Sequence, residues 1–197
     1  MTTWTQPETL PGKQVRLEKL NQTHVAGLLN AATPDTFQHM PITPSPWNEE
    51  GFAGYVTERT AHGWAFAVTE LGSGQLVGCT SIFDISSEHR HLEIGHTWYQ
   101  ADYRGTLVNP ECKLLLLAHA FENLGCIRVQ LKCDERNLRS RAGIEKLGAK
   151  FEGVRRSVMI LPDGHRRNTA YFSILDYEWP VVKEVLINRL TLLGYSL

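Results

Sequence analysis

Tyr103-Arg104-Gly105-Thr106-Leu107-Val108-Asn109-Pro110-Glu111 joins two segments of opposite character. Before it, Leu92 to Tyr99 is an apolar, strand-like run; after it, Lys113 to Asn123 is strongly helical. A glycine-bearing turn feeding a helix start presents backbone N–H groups that lack intrahelical partners, at the positive end of the helix dipole. The stretch therefore reads as an anion site and points to a phosphorylated ligand. Asn109 and Pro110 mark the helix start, as cap and first helical residue.

Upstream, Lys13 to Leu20 alternates apolar and charged residues and reads as a strand. Asn21 caps a short helix through Ala32, prolines 34, 41, 44 and 46 break the next stretch into turns, and Trp47 to His62 is helical until Gly63. Three strands follow: Trp64 to Thr69, Gln75 to Phe83, and Leu92 to Tyr99. Gly72-Ser73-Gly74 links the first two and the polar loop Asp84 to His91 the second two, which makes an antiparallel meander.

Downstream, Gly125 ends the helix and Cys126 to Cys133 alternates as a strand. Asn137 caps a helix that Gly148 terminates, and strands Lys150 to Leu161 and Arg166 to Leu175 flank the turn Pro162-Asp163-Gly164-His165. Trp179 to Leu193 is a final helix. Strand–helix–strand crossovers in this half require parallel neighbours. The class is α/β: a central mixed sheet with helices on both faces, in one domain over 1–197, its core about 13–176 and a C-terminal helix segment over 177–197.

Composition bounds the function. Apolar residues make up 42%, enough for a sizeable core. No run is long enough to span a bilayer, and Met1 to Leu10 lacks the layout of a secretory leader, so a cytoplasmic protein without a membrane partner is expected. Cys79, Cys112, Cys126 and Cys133 show no C-x-x-C spacing and read as buried thiols; no metal site is expected. Net charge is −1. Residues 1–99 carry 5 Lys and Arg against 10 Asp and Glu, whereas 100–170 carry 13 against 8, so the positive segment holds the glycine turn. Arginines cluster at positions 136, 139, 141, 155, 156, 166 and 167, but a pI near 6.7 lacks the electrostatic footprint of nucleic-acid binding.

Four pieces carry a family resemblance: Leu92-Glu93-Ile94-Gly95, the turn Tyr103-Arg104-Gly105, Asp134-Glu135-Arg136-Asn137-Leu138-Arg139-Ser140, and Glu145-Lys146-Leu147-Gly148-Ala149 with Glu152-Gly153. In this order they resemble the GNAT superfamily of acetyl-CoA-dependent N-acetyltransferases, and within it the RimJ/RimL type. The resemblance implies acetyl-CoA as cosubstrate and direct acetyl transfer to a primary amine, either a protein N-terminal α-amine or a small-molecule amine. Its phosphate loop would use the N–H groups of Gly105, Thr106, Leu107, Val108 and Asn109, with Arg104 and the Thr106 hydroxyl as helpers. Leu107 stands where the family usually has a second small residue. The loop must therefore use ordinary backbone angles there, or sit farther from the phosphates.

Further roles follow from the same resemblance. Thr97, Trp98 and Tyr99 would bind the pantetheine arm and the acetyl carbonyl through their backbone, and Asn137 would contact the pantetheine besides capping its helix. Ser140 is the candidate acid for the departing thiolate, since the family's usual tyrosine position is Ile144 here. Glu93 is the candidate base, acting directly or through water. His96 is the other base candidate, but three residues on it faces the opposite side unless a bulge intervenes. The departures at Leu107 and Ile144 leave a second reading open, a non-catalytic acyl-CoA-binding module on the same fold. The apolar-faced terminal elements also point to a homodimer.

Overall fold

The computed structural model describes residues 4–195; residues 1–3 of the N-terminal segment and 196–197 of the C-terminal one lie outside the described residues. The strands are β1 (Thr9–Pro11), β2 (Val15–Lys19), β3 (Trp64–Glu70), β4 (Leu76–Ser86), β5 (His91–Tyr99), β6 (Arg128–Asp134), β7 (Lys150–Ile160) and β8 (Arg166–Leu175). They form one mixed sheet in the order β1-β2-β3-β4-β5-β6-β8-β7. The helices are α1 (Val25–Ala31), α2 (Glu49–Ala61), α3 (Val108–Ala118), α4 (Leu138–Glu145) and α5 (Trp179–Leu192).

Period-two burial sets the faces. In β6, Val129, Leu131 and Cys133 are buried while Arg128, Gln130 and Lys132 are half-buried. The buried set packs with Leu92, Ile94, Phe172 and Ile174 in a core shared with Leu116 of α3 and Leu186 of α5. On the opposite face, Leu28 of α1 and Phe52, Tyr55 and Val56 of α2 cover Ala65, Ala67, Cys79 and Trp98. All four cysteines are free and buried.

Most expected elements form, with instructive departures. Short β1 adds an edge strand that has no alternating pattern to betray it. The loop expected over 84–91 shrinks, because β4 runs on to Ser86 and β5 begins at His91. Among the described residues one crossover alone makes parallel neighbours, β5–α3–β6. The crossover through α4 ends at the sheet edge, because β8 folds back and inserts antiparallel between β6 and β7. That insertion gives β8 ladder bonds on both edges.

Asn109 is not the cap of α3. The helix begins at Val108 with Leu107 as the N-cap residue, and Pro110 sits in its first turn. Proline is tolerated there because the first-turn N–H groups have no intrahelical acceptor anyway. Instead of Asn109, the Thr106 hydroxyl accepts the Val108 N–H at 3.3 Å while donating to the Tyr103 carbonyl at 2.8 Å.

Glu111, fully buried in the same first turn, ties α3 to the β1–β2 turn. Its carboxylate accepts the N–H groups of Lys13 (2.6 Å), Gln14 (3.1 Å) and Val15 (3.0 Å) and the Tyr195 hydroxyl (2.9 Å). Gly12 carries no side chain, and a Cβ there would lie 2.5 Å from Glu111 Oε1. Glu111→Ala strands several buried donors, so urea unfolding should show a loss of about 3 kcal/mol or more. A loss below about 1 kcal/mol would refute this anchoring.

Candidate active site

β5 and β6 pair over only three positions, His91↔Arg128, Leu92↔Val129 and Glu93↔Gln130, and then separate. A fork opens, with Ile94–Tyr99 as one arm and Leu131–Asp134 as the other. The β5 arm is bulged. Between the pairs Cys79↔Trp98 and Ser81↔Gly95, both His96 and Thr97 oppose Thr80 alone, and His96 adopts φ +49°. A bulge bends and over-twists its strand, and this one lies where β5 leaves its neighbour.

Glu93 stands at the vertex. It is 1% exposed, and its Oε2 accepts from Gln130 Nε2 (2.7 Å) and pairs with Lys132 Nζ (3.0 Å). Its Oε1 is buried without a partner and lies 3.6 Å from where a Cβ on Gly95 would sit, so it is directed along the β5 arm. Burial raises the Glu93 carboxyl above its ordinary value, opposed by the Lys132 charge.

The bulge also settles the position of His96. Its ring lies 4.8 Å from the Phe83 ring, and Lys132 Nζ is 5.1 Å from that same ring. Both base candidates thus adjoin one phenylalanine, where a regular strand would have set them on opposite faces. Burial, reinforced by the charges of Arg59, Lys132 and Arg167, lowers His96 to about 3. It is neutral near pH 7 and a poor proton acceptor there. An open groove of 390 Å³, lined by Gln130, Glu152, Gly153, Val154, Arg155 and Tyr171, adjoins Glu93 through Gln130.

The β5 arm leads into the glycine turn. Gly105 has φ +79°, whereas Leu107 has φ −70° and ψ −14°. Of the two options left by Leu107, ordinary backbone angles hold, so no second glycine is needed. Among the described residues, the N–H groups of Gly105, Thr106, Leu107 and Asn109 have no hydrogen-bond acceptor, which suits a pyrophosphate. Arg104 is held by other groups. Its Nε donates to the Tyr99 carbonyl (3.0 Å), its Nη2 to Thr36 Oγ1 (3.3 Å), and its Nη1 lies 3.7 Å from Asp35 Oδ2.

The β6 arm leads to α4. Asn137 Oδ1 accepts the Ser140 N–H at 3.0 Å, the expected cap. Ser140 neighbours Cys133, whose thiol is raised by burial and held back first by a hydrogen bond from that serine. On the β5 arm, the Trp98 indole donates to Tyr55 Oη (3.0 Å), and Thr97 Oγ1 meets Thr80 Oγ1 (2.8 Å) and Lys113 Nζ (3.1 Å). The fork thus brings Glu93, His96 and Lys132 together at its vertex, and sets Thr97–Asn109 and Asn137–Ser140 on separate arms. Among the described residues no group of three or more His, Cys, Asp or Glu side chains could hold a metal ion.

Sequence reading passed over Gln130, Lys132, Lys113 and Arg59, and met Arg167 only as one of a cluster of arginines. For Arg59 a signal existed: Phe52, Tyr55, Val56 and Arg59 follow the spacing of one buried helix face. The others needed the register of β6 and β8 and the docking of α3.

Residues 14–150 match the family model described as an acetyltransferase (GNAT) domain. The chain belongs to the GNAT acetyltransferase family. YdaF of Bacillus subtilis (strain 168), provisionally named a ribosomal N-acetyltransferase, is 31% identical over 110 residues, or 55% of this chain and 58% of that protein. A structure from T. thermophilus, provisionally named an acetyltransferase, is similar at 36% identity and TM-score 0.89, over 95% of this chain and 100% of that one. RimJ of Mycobacterium smegmatis, solved with CoA-disulfide, shares the fold at 19% identity and TM-score 0.74, over 89% and 88% of the two chains. The name of YdaF agrees with the RimJ/RimL-like branch that the sequence resembles.

Lys113 supplies a test of the electrostatics beneath the bulge. Among the described residues its amine donates to the Thr97 hydroxyl and has no carboxylate partner, and burial lowers it to about 8. Between about 8 and its ordinary 10.5 the unfolded chain binds more protons, so stability rises with pH across that window, by up to roughly 3 kcal/mol. Lys113→Met should flatten the rise in denaturant unfolding between pH 7 and 10. An unchanged slope would show that the lysine is not buried as a cation.

Proposed function

We propose that this chain is an acetyl-CoA-dependent N-acetyltransferase that moves an acetyl group directly onto a primary amine. The observation that carries the reading is the buried Glu93 carboxylate, with one free oxygen directed along the bulged arm of the fork. An amine is protonated near neutral pH and must lose a proton before it can attack a carbonyl. A carboxylate raised by burial is suited to take that proton, directly or through water. His96, pushed to about 3, is not. Acetyl-CoA supplies the acetyl group as a thioester.

The N–H groups of Gly105, Thr106, Leu107 and Asn109, with Val108 completing the turn, are assigned to the pyrophosphate. Arg104 and the Thr106 hydroxyl act indirectly, by holding the turn in shape. The backbone of Thr97, Trp98 and Tyr99 lies on the β5 arm, whose β6-facing edge has lost its ladder partner. That arm is assigned to the pantetheine and the acetyl carbonyl. Asn137 caps α4 with its oxygen and has its amide nitrogen for the pantetheine; Ser140 delivers the proton to the departing thiolate. The name of YdaF, a ribosomal N-acetyltransferase, favours a protein amine such as an N-terminal α-amine, while the open groove beside Gln130 supports a small-molecule amine.

A cytoplasmic location accords with the finding that no helix among the described residues is long and apolar enough to cross a membrane. A homodimer through α5 is supported by Val181, Val185 and Leu192, exposed on one side of that helix.

Free-thiol release from acetyl-CoA over a panel of amines tests the activity. Because the base must be ionised, kcat/KM should rise with pH through the raised Glu93 value. Glu93→Gln should remove that limb and lower kcat about 10²–10⁴-fold with CoA affinity retained. A variant with the normal rate and limb eliminates the base assignment. Ser140→Ala should slow turnover about tenfold or more without weakening CoA binding; an unchanged kcat transfers the leaving-group proton to solvent.

A further inference from the structure

Among the described residues, two arginines beside the fork are buried with no carboxylate in ion-pair contact. Arg59 of α2 is 2% exposed, and its hydrogen bond is from Nη2 to Ser81 Oγ at 3.0 Å. Ser81 is the register partner of Gly95, the residue next to His96 and two from Glu93. Arg167, at the end of β8 away from the closed part of the fork, is 6% exposed and donates a long 3.4 Å bond from Nη1 to the His39 carbonyl. The Nε of each is buried without a partner.

Asp134 and Glu93 act on Arg167 from a distance, but neither is within ion-pair reach of either arginine. Asp134 is occupied by Arg136, which reaches it with Nε (3.1 Å), Nη2 (2.8 Å) and its backbone N–H (2.9 Å). Glu93 is occupied by Lys132. Among the described residues neither Arg59 nor Arg167 has an ion-pair partner, yet both act on His96 together with Lys132. Buried guanidiniums are costly unless an anion answers them. Their planar donor sets match a carboxylate or another oxyanion.

We infer that the acceptor brings that anion: it is a small amine carrying its own carboxylate, an amino-acid-like zwitterion, with its amine at Glu93 and its carboxylate at Arg59 and Arg167. This rests on the transferase reading and narrows its substrate class. In a peptide N-terminus the same position holds a neutral amide carbonyl, which leaves both guanidiniums unanswered. A simple amine offers nothing there.

The test compares matched acceptors with acetyl-CoA: free L-amino acids, their carboxamides, the decarboxylated amines, and short peptides with the same first residue. The free acids should exceed their carboxamides in kcat/KM by about tenfold or more, the value of a hydrogen-bonded charge. Arg59→Met should collapse that ratio towards one, largely through KM, and Arg59→Lys should restore part of it. Should Arg59→Met not fold, Arg167→Met carries the same comparison. Peptides or carboxamides turned over as fast as the acids overturn the inference and leave the transferase standing, as does a ratio that survives both Met variants. No acetyl release with any acceptor, by protein that still binds acetyl-CoA, overturns the transferase and the inference together.

Discussion

The three-residue parallel contact between β5 and β6 is the constraint on which the rest of the molecule depends. Up to Glu93 and Gln130 the strands share a ladder, and beyond them each goes its own way. Glu93 holds the vertex by grasping Gln130 and Lys132 of the opposite strand. The bulge at His96 and Thr97 bends β5 just beyond that clasp. Two consequences follow from one geometric event. A stretch of strand backbone is left without its neighbour, as a ligand channel requires. The glycine turn and the start of α4 then sit at the ends of the two diverging arms.

Burial does different work on the three ionisable groups around this fork. It raises Glu93, lowers His96 to about 3 and lowers Lys113 to about 8, each time by penalising the charged form. The carboxylate moves towards the pH at which a base is useful, and the imidazole moves away from it. Two residues that look equivalent in the strand are therefore separated by their surroundings. Glu111 is the contrasting case, because its buried carboxylate is filled on both oxygens by backbone donors and by Tyr195. It has no free lone pair directed at a site and serves as an anchor.

Much of the fold was legible in local chemistry. Asn21 and Asn137 cap as their side chains allow, and Gly63 and Gly148 end their helices at positive φ. The alternation of Cys126 to Cys133 marks a strand with one buried face. What escaped was whatever depended on partners distant in sequence. The position of β8 between β6 and β7 follows from ladder pairing, which no local pattern encodes. The start of α3 shifted because Thr106, not Asn109, supplies the first acceptor. Arg59 sits on an apolar helical face, and only packing against Ser81 shows that its charge is buried beside the site.

By itself the sequence determined the element types, the glycine turn before a helix, the family, and the set of polar residues from which a site had to be assembled. These are written in short-range propensity and spacing, which act within a few residues. Tertiary structure alone decided that β5 and β6 part after Glu93 and that a bulge turns His96 towards Phe83. It also decided that Leu107 keeps ordinary backbone angles and that Arg59 and Arg167 lie buried with no carboxylate in ion-pair contact among the described residues. Those facts depend on register and dielectric environment, both properties of neighbours brought together from distant parts of the chain.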